Sequence, residues 1–135
     1  NQKIYKRFYK FNDFQFIAIG PKEIKMQVEN LVAQLQSGTN TEMTKWFFLL
    51  QESKYSKNLF ESLGTDLKLD EFHGSPYVFI IDKKGFLRGR NDSDGIKFGY
   101  DMRSVAELNN YMVDDVKIIL AEYRLALKKN NILDN

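Results

Sequence analysis

His73 is the strongest candidate for chemistry in this chain of 135 residues, because it is the single histidine and the sequence contains no cysteine. Zero cysteine excludes a thiolate nucleophile, a Cys-x-x-Cys redox pair, disulfide bonds and cysteine-ligated zinc or iron–sulfur centres within this sequence. One imidazole also excludes His-rich metal centres, and a Ser-His-Asp arrangement would have to use His73. Copper(I) prefers thiolate or thioether ligands, so a lone imidazole is a weak site. The residues alone favour a loop histidine that hydrogen-bonds to the backbone or to solvent.

Two acidic patterns are weaker candidates. Asp92–Gly95 is similar to part of a calcium loop, but the first loop position falls on Arg90 and the twelfth on Asp101, where such a loop needs Asp and Glu. Asp114 and Asp115 are neighbours on a predicted helix, so their side chains diverge by about 100°. We therefore interpret this acidic pair as a solvated helix face and not as a catalytic pair.

Charge and hydropathy exclude further classes of protein. The chain has 20 basic and 18 acidic residues, and acidic residues interrupt nearly every basic run, so we expect no nucleic-acid partner. No apolar stretch approaches the ~20 residues of a membrane span, and there is no signal peptide. With 43% hydrophobic and 14% aromatic residues, the sequence predicts one domain with a single core. The chain starts at Asn1 without an initiator Met, so we expect a piece of a longer protein.

Strands and helices alternate along the first half of the chain. The apolar runs 14–19 (FQFIAI) and 46–50 (WFFLL) are typical of buried strands. Between them, Pro21 is suited to opening a helix whose apolar stripe runs from Ile24 to Leu35. Residues 3–11 have the spacing of a helix end, and a polar loop is expected over 37–44.

The second half adds a hairpin and a long closing helix. A helix over 53–63 is followed by an irregular connection and by a strand over 77–81 (YVFII), which turns through Asp82–Gly85 into a return strand over 86–90. Residues 91–101 are expected to be a loop. Ser104 and Glu107 form a capping box for the last helix, whose tail is expected to fray from Lys128. The predicted fold class is therefore α/β with a mixed sheet.

Several segments of this sequence resemble the Sco (SenC) family of the thioredoxin-like superfamily. In that superfamily a cis-proline starts a strand that turns through an Asp-x-x-Gly hairpin, and Pro76 with Asp82–Gly85 follows this order. The other similar segments are Phe14–Ile19, Gly20–Glu23, Trp46–Leu49, the position of His73, and Ser104–Lys129. Together they cover most of residues 3–129.

The resemblance implies a thioredoxin-like sandwich in a single domain over residues 1–135, incomplete at its N-terminus. Family members bind copper through a Cys-x-x-x-Cys pair and a later histidine, so His73 is the implied metal ligand, with Ser75 and Pro76 shaping a partner groove beside it. The cysteine pair would fall just upstream of Asn1, and copper would be held weakly by this chain without it. The implied role is copper and thiol handling during assembly of respiratory oxidase.

The same resemblance implies a protein of the cell envelope, attached to the membrane through an N-terminal anchor absent from this chain. Its partner would be an oxidase subunit or another envelope protein.

Two alternative functions stay open. One is a redox-inactive thioredoxin-like module that binds a protein partner, and the other is a thiol oxidoreductase or thiol peroxidase whose cysteines lie upstream. We expect no catalytic residue, and no enzyme activity, in this chain itself.

Overall fold

The computed structural model describes residues 2–90 and 98–133, and the helices and strands in this part of the chain confirm the α/β class. In chain order they are α1 (Gln2–Phe8), β1 (Phe16–Pro21), α2 (Lys25–Thr39), β2 (Trp46–Gln51), α3 (Ser53–Ser62), β3 (Tyr77–Ile81), β4 (Leu87–Arg88), β5 (Gly99–Asp101), α4 (Val105–Glu107) and α5 (Val113–Leu133). A 3₁₀ turn (Lys22–Ile24) precedes α2, and a π-helical turn (Leu108–Met112) joins α4 to α5.

The described residues form two compact units. The first contains the residues up to Gly64 together with Lys68–Ser75, and the second contains Thr65–Leu67 and the residues from Pro76 onward. The described strands pair in one parallel and one antiparallel sheet, and each sheet lies within its own unit. The single thioredoxin-like domain expected over 1–135 stays a prediction.

The first unit is built on the parallel pair β1–β2, in which Phe16 lies opposite Trp46. Side chains alternate between the two faces of a strand, and Phe16 and Trp46 face the core. The unbroken apolar runs predict strands buried on both faces, but alternate residues here are between 43% and 52% exposed. These exposed residues are Ile17, Ile19, Phe47 and Leu49.

Aromatic packing from α1 closes the buried face of this sheet. The ring of Tyr5 lies 5.1 Å from the indole of Trp46, and Phe16 lies 4.6 Å from the same indole, centroid to centroid. Ring offsets of this kind add to the burial energy of aromatic side chains. The Tyr5 hydroxyl donates to the Glu42 carbonyl at 2.6 Å and accepts from the Lys45 N–H at 3.2 Å. The predicted N-terminal helix is therefore part of the core of this unit.

Helix boundaries differ slightly from the sequence prediction. The 3₁₀ turn delays the start of α2 to Lys25, and α2 continues to Thr39, beyond the expected loop start at residue 37. The left-handed backbone of Asn40, with φ 51°, ends the helix there. Helix α3 begins at Ser53 as expected and ends at Ser62, one residue before the predicted end.

The second unit is built on an antiparallel sheet in the order β4–β3–β5. The hairpin predicted after residue 81 is confirmed, although the return strand is only Leu87–Arg88. Strand β5, which pairs Tyr100 with Val78, falls inside the segment for which the sequence predicts a loop. The calcium-like pattern Asp92–Gly95 lies outside the described residues.

The C-terminal helical segment follows the capping prediction at its start. The Ser104 hydroxyl accepts from the Glu107 N–H at 3.2 Å, while the Glu107 carboxylate accepts from the Asp101 N–H instead of that of Ser104. Helix α5 continues to Leu133, beyond the fraying expected from Lys128. In the described part of the chain, no helix has both the length and the hydropathy needed to cross a bilayer.

Candidate functional site

His73 lies at the exposed tip of a tight loop in the first unit. Oδ1 of Asp70 accepts the N–H groups of Phe72 at 2.9 Å and Gly74 at 2.8 Å. The His73 N–H donates to the Asp70 carbonyl at 3.0 Å, and the Asp70 N–H donates to the Gly74 carbonyl at 2.9 Å. These bonds fix the loop, so that Phe72, which is 83% exposed, and His73 face solvent.

The same five-residue arrangement occurs at the hairpin turn of the second unit. There Oδ1 of Asp82 accepts the N–H groups of Lys84 and Phe86, and Gly85 has the left-handed φ of 85°. In the first loop His73 occupies the position equivalent to Gly85, with φ 59°. A non-glycine residue in this region is strained by roughly 1 to 2 kcal/mol. The chain therefore carries an imidazole where glycine would be the least strained choice.

The chemistry available at His73 is that of one exposed imidazole. Within residues 2–90 and 98–133, no group of three or more His, Cys, Asp or Glu side chains is placed to hold a metal ion. His73 can supply one nitrogen ligand to copper, and the other ligands of a tight site would have to be thiolates or thioethers.

Ser75 and Pro76 both lie half-buried where the chain passes from the first unit to the second. The Pro76 carbonyl accepts from the Met102 N–H at 2.9 Å, which ties the start of β3 to the segment after β5. The peptide bonds of the described residues, including the one before Pro76, are trans. The cis bond that the resemblance implies at Pro76 is therefore not present, and the chain enters β3 through an ordinary loop-to-strand transition.

One of the two carboxylates predicted to lie on a solvated helix face is buried in the second unit. The Asp115 carboxylate accepts Arg90 Nε at 3.0 Å and Arg90 Nη2 at 2.9 Å, and it also accepts the Tyr100 hydroxyl at 2.5 Å. Asp115 is 9% exposed, whereas its neighbour Asp114 is exposed. The solvated-face interpretation is therefore wrong for Asp115, because this side chain is turned toward the sheet and neutralised there.

Arg90 also contacts the π-helical turn. Its guanidinium lies 4.8 Å from the ring centroid of Tyr111, and its Nη2 is 3.5 Å from the Tyr111 carbonyl oxygen. The Val113 N–H donates to the Leu108 carbonyl, which is the wider hydrogen bond of a π turn. This irregular turn ends at Met112, just before α5 begins.

A second arginine extends the contact between hairpin and helix. The Arg88 guanidinium forms a bidentate ion pair with the Glu122 carboxylate, with N–O distances of 2.8 and 3.1 Å. Its Nη1 also lies 3.4 Å from Oδ2 of Asp82. The hydrogen bond from Arg88 lowers the pKa of Glu122. The Phe86 N–H is the main cause of the lowered pKa of Asp82. Burial, followed by the hydrogen bond to Asp115, raises the pKa of Tyr100 above its ordinary value of 10.0.

The spacing of charged residues in the sequence indicates this cluster, although the prediction of strands, helices and turns does not use it. Arg88 and Arg90 are two residues apart on a predicted strand, so they share a face, and Asp115 and Glu122 are seven apart on a predicted helix, so they also share a face. The match of these two spacings predicts a pair of ion bridges. In the structure Arg88 binds Glu122 and Arg90 binds Asp115. These two ion pairs fix the hairpin against α5.

A scan against models of known protein families finds no match for this chain, and searches of curated proteins and of solved structures also return no match.

Replacing His73 by glycine tests the strain at the loop tip. Because glycine adopts positive φ without strain, we expect His73→Gly to stabilise the protein by up to about 1 kcal/mol, less the entropy that glycine adds to the unfolded chain. Urea unfolding measures the change. Phe72→Gly is the control, since residue 72 has no positive φ, and it should be neutral or destabilising. A destabilising His73→Gly would show that the imidazole makes contacts that support the loop.

Replacing Asp115 by asparagine tests the buried pairing. Loss of the charge weakens the bonds from Arg90 and Tyr100, and we expect a loss of about 1 to 3 kcal/mol because Arg90 remains half in solvent. The matched control is Asp114→Asn, one residue away and exposed, which should change stability by less than about 0.5 kcal/mol. Equal effects of the two substitutions in thermal or urea unfolding would contradict the assigned role of Asp115.

Proposed function

We propose that this chain is part of a Sco-like protein of the cell envelope that handles copper or thiols during assembly of respiratory oxidase. The observation that carries the proposal is the strained, exposed His73 at a loop tip, close in sequence to Pro76 and the hairpin that follows. Strained backbone is retained where a side chain is needed at that position, so the positive φ of His73 favours a role for the imidazole.

In this proposal His73 supplies one nitrogen ligand to copper, and a Cys-x-x-x-Cys pair supplies the thiolates. The 135-residue chain contains no cysteine, so it cannot carry out thiol exchange and holds copper(I) only weakly. The loop geometry supports this role because the bonds to Asp70 fix the backbone on both sides of His73. A fixed ligand loses little conformational freedom when the metal binds.

The finer fold that we propose is a thioredoxin-like sandwich. Support comes from the element order: a parallel β1–β2 pair connected through α2, followed by an antiparallel hairpin and a closing helix. Attachment to the membrane would use an N-terminal anchor outside this chain.

One observation favours a redox-inactive module that binds a protein partner. Phe72 is 83% exposed beside His73, on a loop that hydrogen bonds to Asp70 hold rigid. An exposed aromatic side chain on a fixed backbone is suited to contact with a partner protein. In this second proposal Phe72 contacts the partner, and Ser75 and Pro76 shape the groove beside it.

Copper(I) titration against a competing chelator, together with the gene sequence upstream of Asn1, separates the two proposals. We expect no tight 1:1 binding by the 135-residue chain, and tight binding by a longer chain that includes an upstream Cys-x-x-x-Cys. His73→Ala in that longer chain should weaken binding at least about tenfold, since even groups that only support a ligand contribute that much. Phe72→Ala is the control and should leave copper affinity unchanged.

Tight 1:1 binding by the 135-residue chain would contradict the requirement for thiolates. An upstream sequence without the cysteine pair would overturn the copper role and favour the binding module.

A further inference from the structure

Helix α5 has a second apolar face that points away from the core of its unit. Its inward residues include Met112, just before the helix, with Val116 and Ile119, and all three are buried. On the opposite side Ile118 is 56% exposed and Leu125 is 66% exposed. We call this side the outer stripe, and it consists of Asp114, Ile118, Ala121, Leu125 and Lys128.

The spacing of the outer stripe is that of a helix–helix seam. Successive members are separated by three or four residues, and its two exposed apolar members, Ile118 and Leu125, are separated by seven. An apolar repeat of seven residues keeps one narrow line of side chains facing a partner helix. Ala121 lies in the middle of the stripe, where its small side chain allows another backbone to approach closely.

The charges beside the outer stripe are mostly basic. Lys117 and Arg124 border one side of it, Lys128 ends it, and among the described residues no carboxylate pairs with any of the three. The acidic residues on the other side, Asp115 and Glu122, are already held by Arg90 and Arg88. The surface available to a partner is therefore apolar along its centre and positive at its side.

This charge pattern argues against a second copy of the chain as the occupant. A parallel pair would place Asp114 against Asp114 and Lys128 against Lys128 of the other copy. An antiparallel pair centred on Ala121 would bring Lys117 of one copy close to Arg124 of the other. Like charges oppose the parallel arrangement. In the antiparallel one the contact between Lys117 and Arg124 is repulsive although Asp114 lies opposite Lys128, so a second copy matches the charges less well than an acidic partner does.

A membrane surface is also a poor fit. Helices that lie in the bilayer interface present a wide apolar face, commonly with Trp or Phe, and have a largely basic polar side. The outer stripe is one or two side chains wide and contains Asp114 near its N-terminal end.

We propose that the outer stripe of α5 docks an amphipathic helix of a partner protein whose apolar seam is flanked by Asp or Glu. Ile118 and Leu125 pack against the partner seam across Ala121. Lys117, Arg124 and Lys128 pair with the acidic flank. The partner class is set by this chemistry and does not depend on copper or on His73.

A synthetic helical peptide of three heptads tests the proposal, with Leu along its seam and Glu at the flanking positions, labelled for fluorescence anisotropy. The full chain should bind it with micromolar affinity that falls as salt rises. Ile118→Glu with Leu125→Glu should weaken binding at least about tenfold, and Arg124→Glu should also weaken it. The matched control is Leu127→Glu, which is 62% exposed but off the stripe, and it should leave the affinity within about twofold.

Several outcomes would overturn the proposal. One is the absence of binding at about 1 mM peptide. Another is that a peptide with Lys at the flanking positions binds as tightly as the peptide with Glu. A third is that Leu127→Glu weakens binding as much as the double substitution does. Binding to anionic phosphatidylserine vesicles without binding to the peptide would assign the stripe to a membrane. Self-association that Ile118→Glu abolishes in sedimentation would assign it to a second copy. If the double variant is unfolded by circular dichroism, the singles Ile118→Ser and Leu125→Ser give the same comparison.

Discussion

The second unit depends on the neutralisation of one carboxylate. A buried charge is costly unless it is paired and hydrogen-bonded. Asp115 meets this requirement with Arg90, which follows β4, and with Tyr100, which lies in β5. Two other parts of the chain therefore contact one side chain of α5. The Arg88–Glu122 pair lies two helical turns further along and repeats the contact. The hairpin is fixed against the helix at two points, and this gives it one orientation.

Gly89 makes this convergence sterically possible. The Tyr100 hydroxyl oxygen lies 2.7 Å from the place where a Cβ on residue 89 would be, and the backbone there has φ 137°. A side chain at residue 89 would displace the hydroxyl that donates to Asp115. The contact between Tyr100 and Asp115 therefore requires glycine at residue 89, between the two arginines.

Local patterns in the sequence predict much of the fold, because turn chemistry and apolar runs act over a few residues. Strands β2 and β3, the turn at Gly85 and the start of α3 follow from such patterns. Strand β5 does not, because its three residues gain their hydrogen bonds only by pairing with β3. Asp115 is missed for a related reason: its burial is set by Arg90, which is distant in sequence. The sequence predicts a loop position for His73, but the left-handed backbone of this residue is visible only in the structure.

The loops fixed by Asp70 and Asp82 use the same hydrogen bonds for two different purposes. At Asp82 the motif closes a hairpin with glycine at the strained position, and at Asp70 the same motif presents His73. The outer stripe of α5 is a further exposed surface, on a helix that the ion pairs of Asp115 and Glu122 fix against the hairpin. In both units, hydrogen-bonded carboxylates hold the backbone so that other side chains can face solvent.

Because they share Asp115, the hairpin, β5 and α5 should unfold together. Native-state amide hydrogen exchange measures this most directly, by giving a free energy of opening for each amide. We expect one common value for β3, for β5 and for the part of α5 between Asp115 and Glu122. Amides of the hairpin that open at a clearly lower free energy than those of α5 would contradict the central role of Asp115.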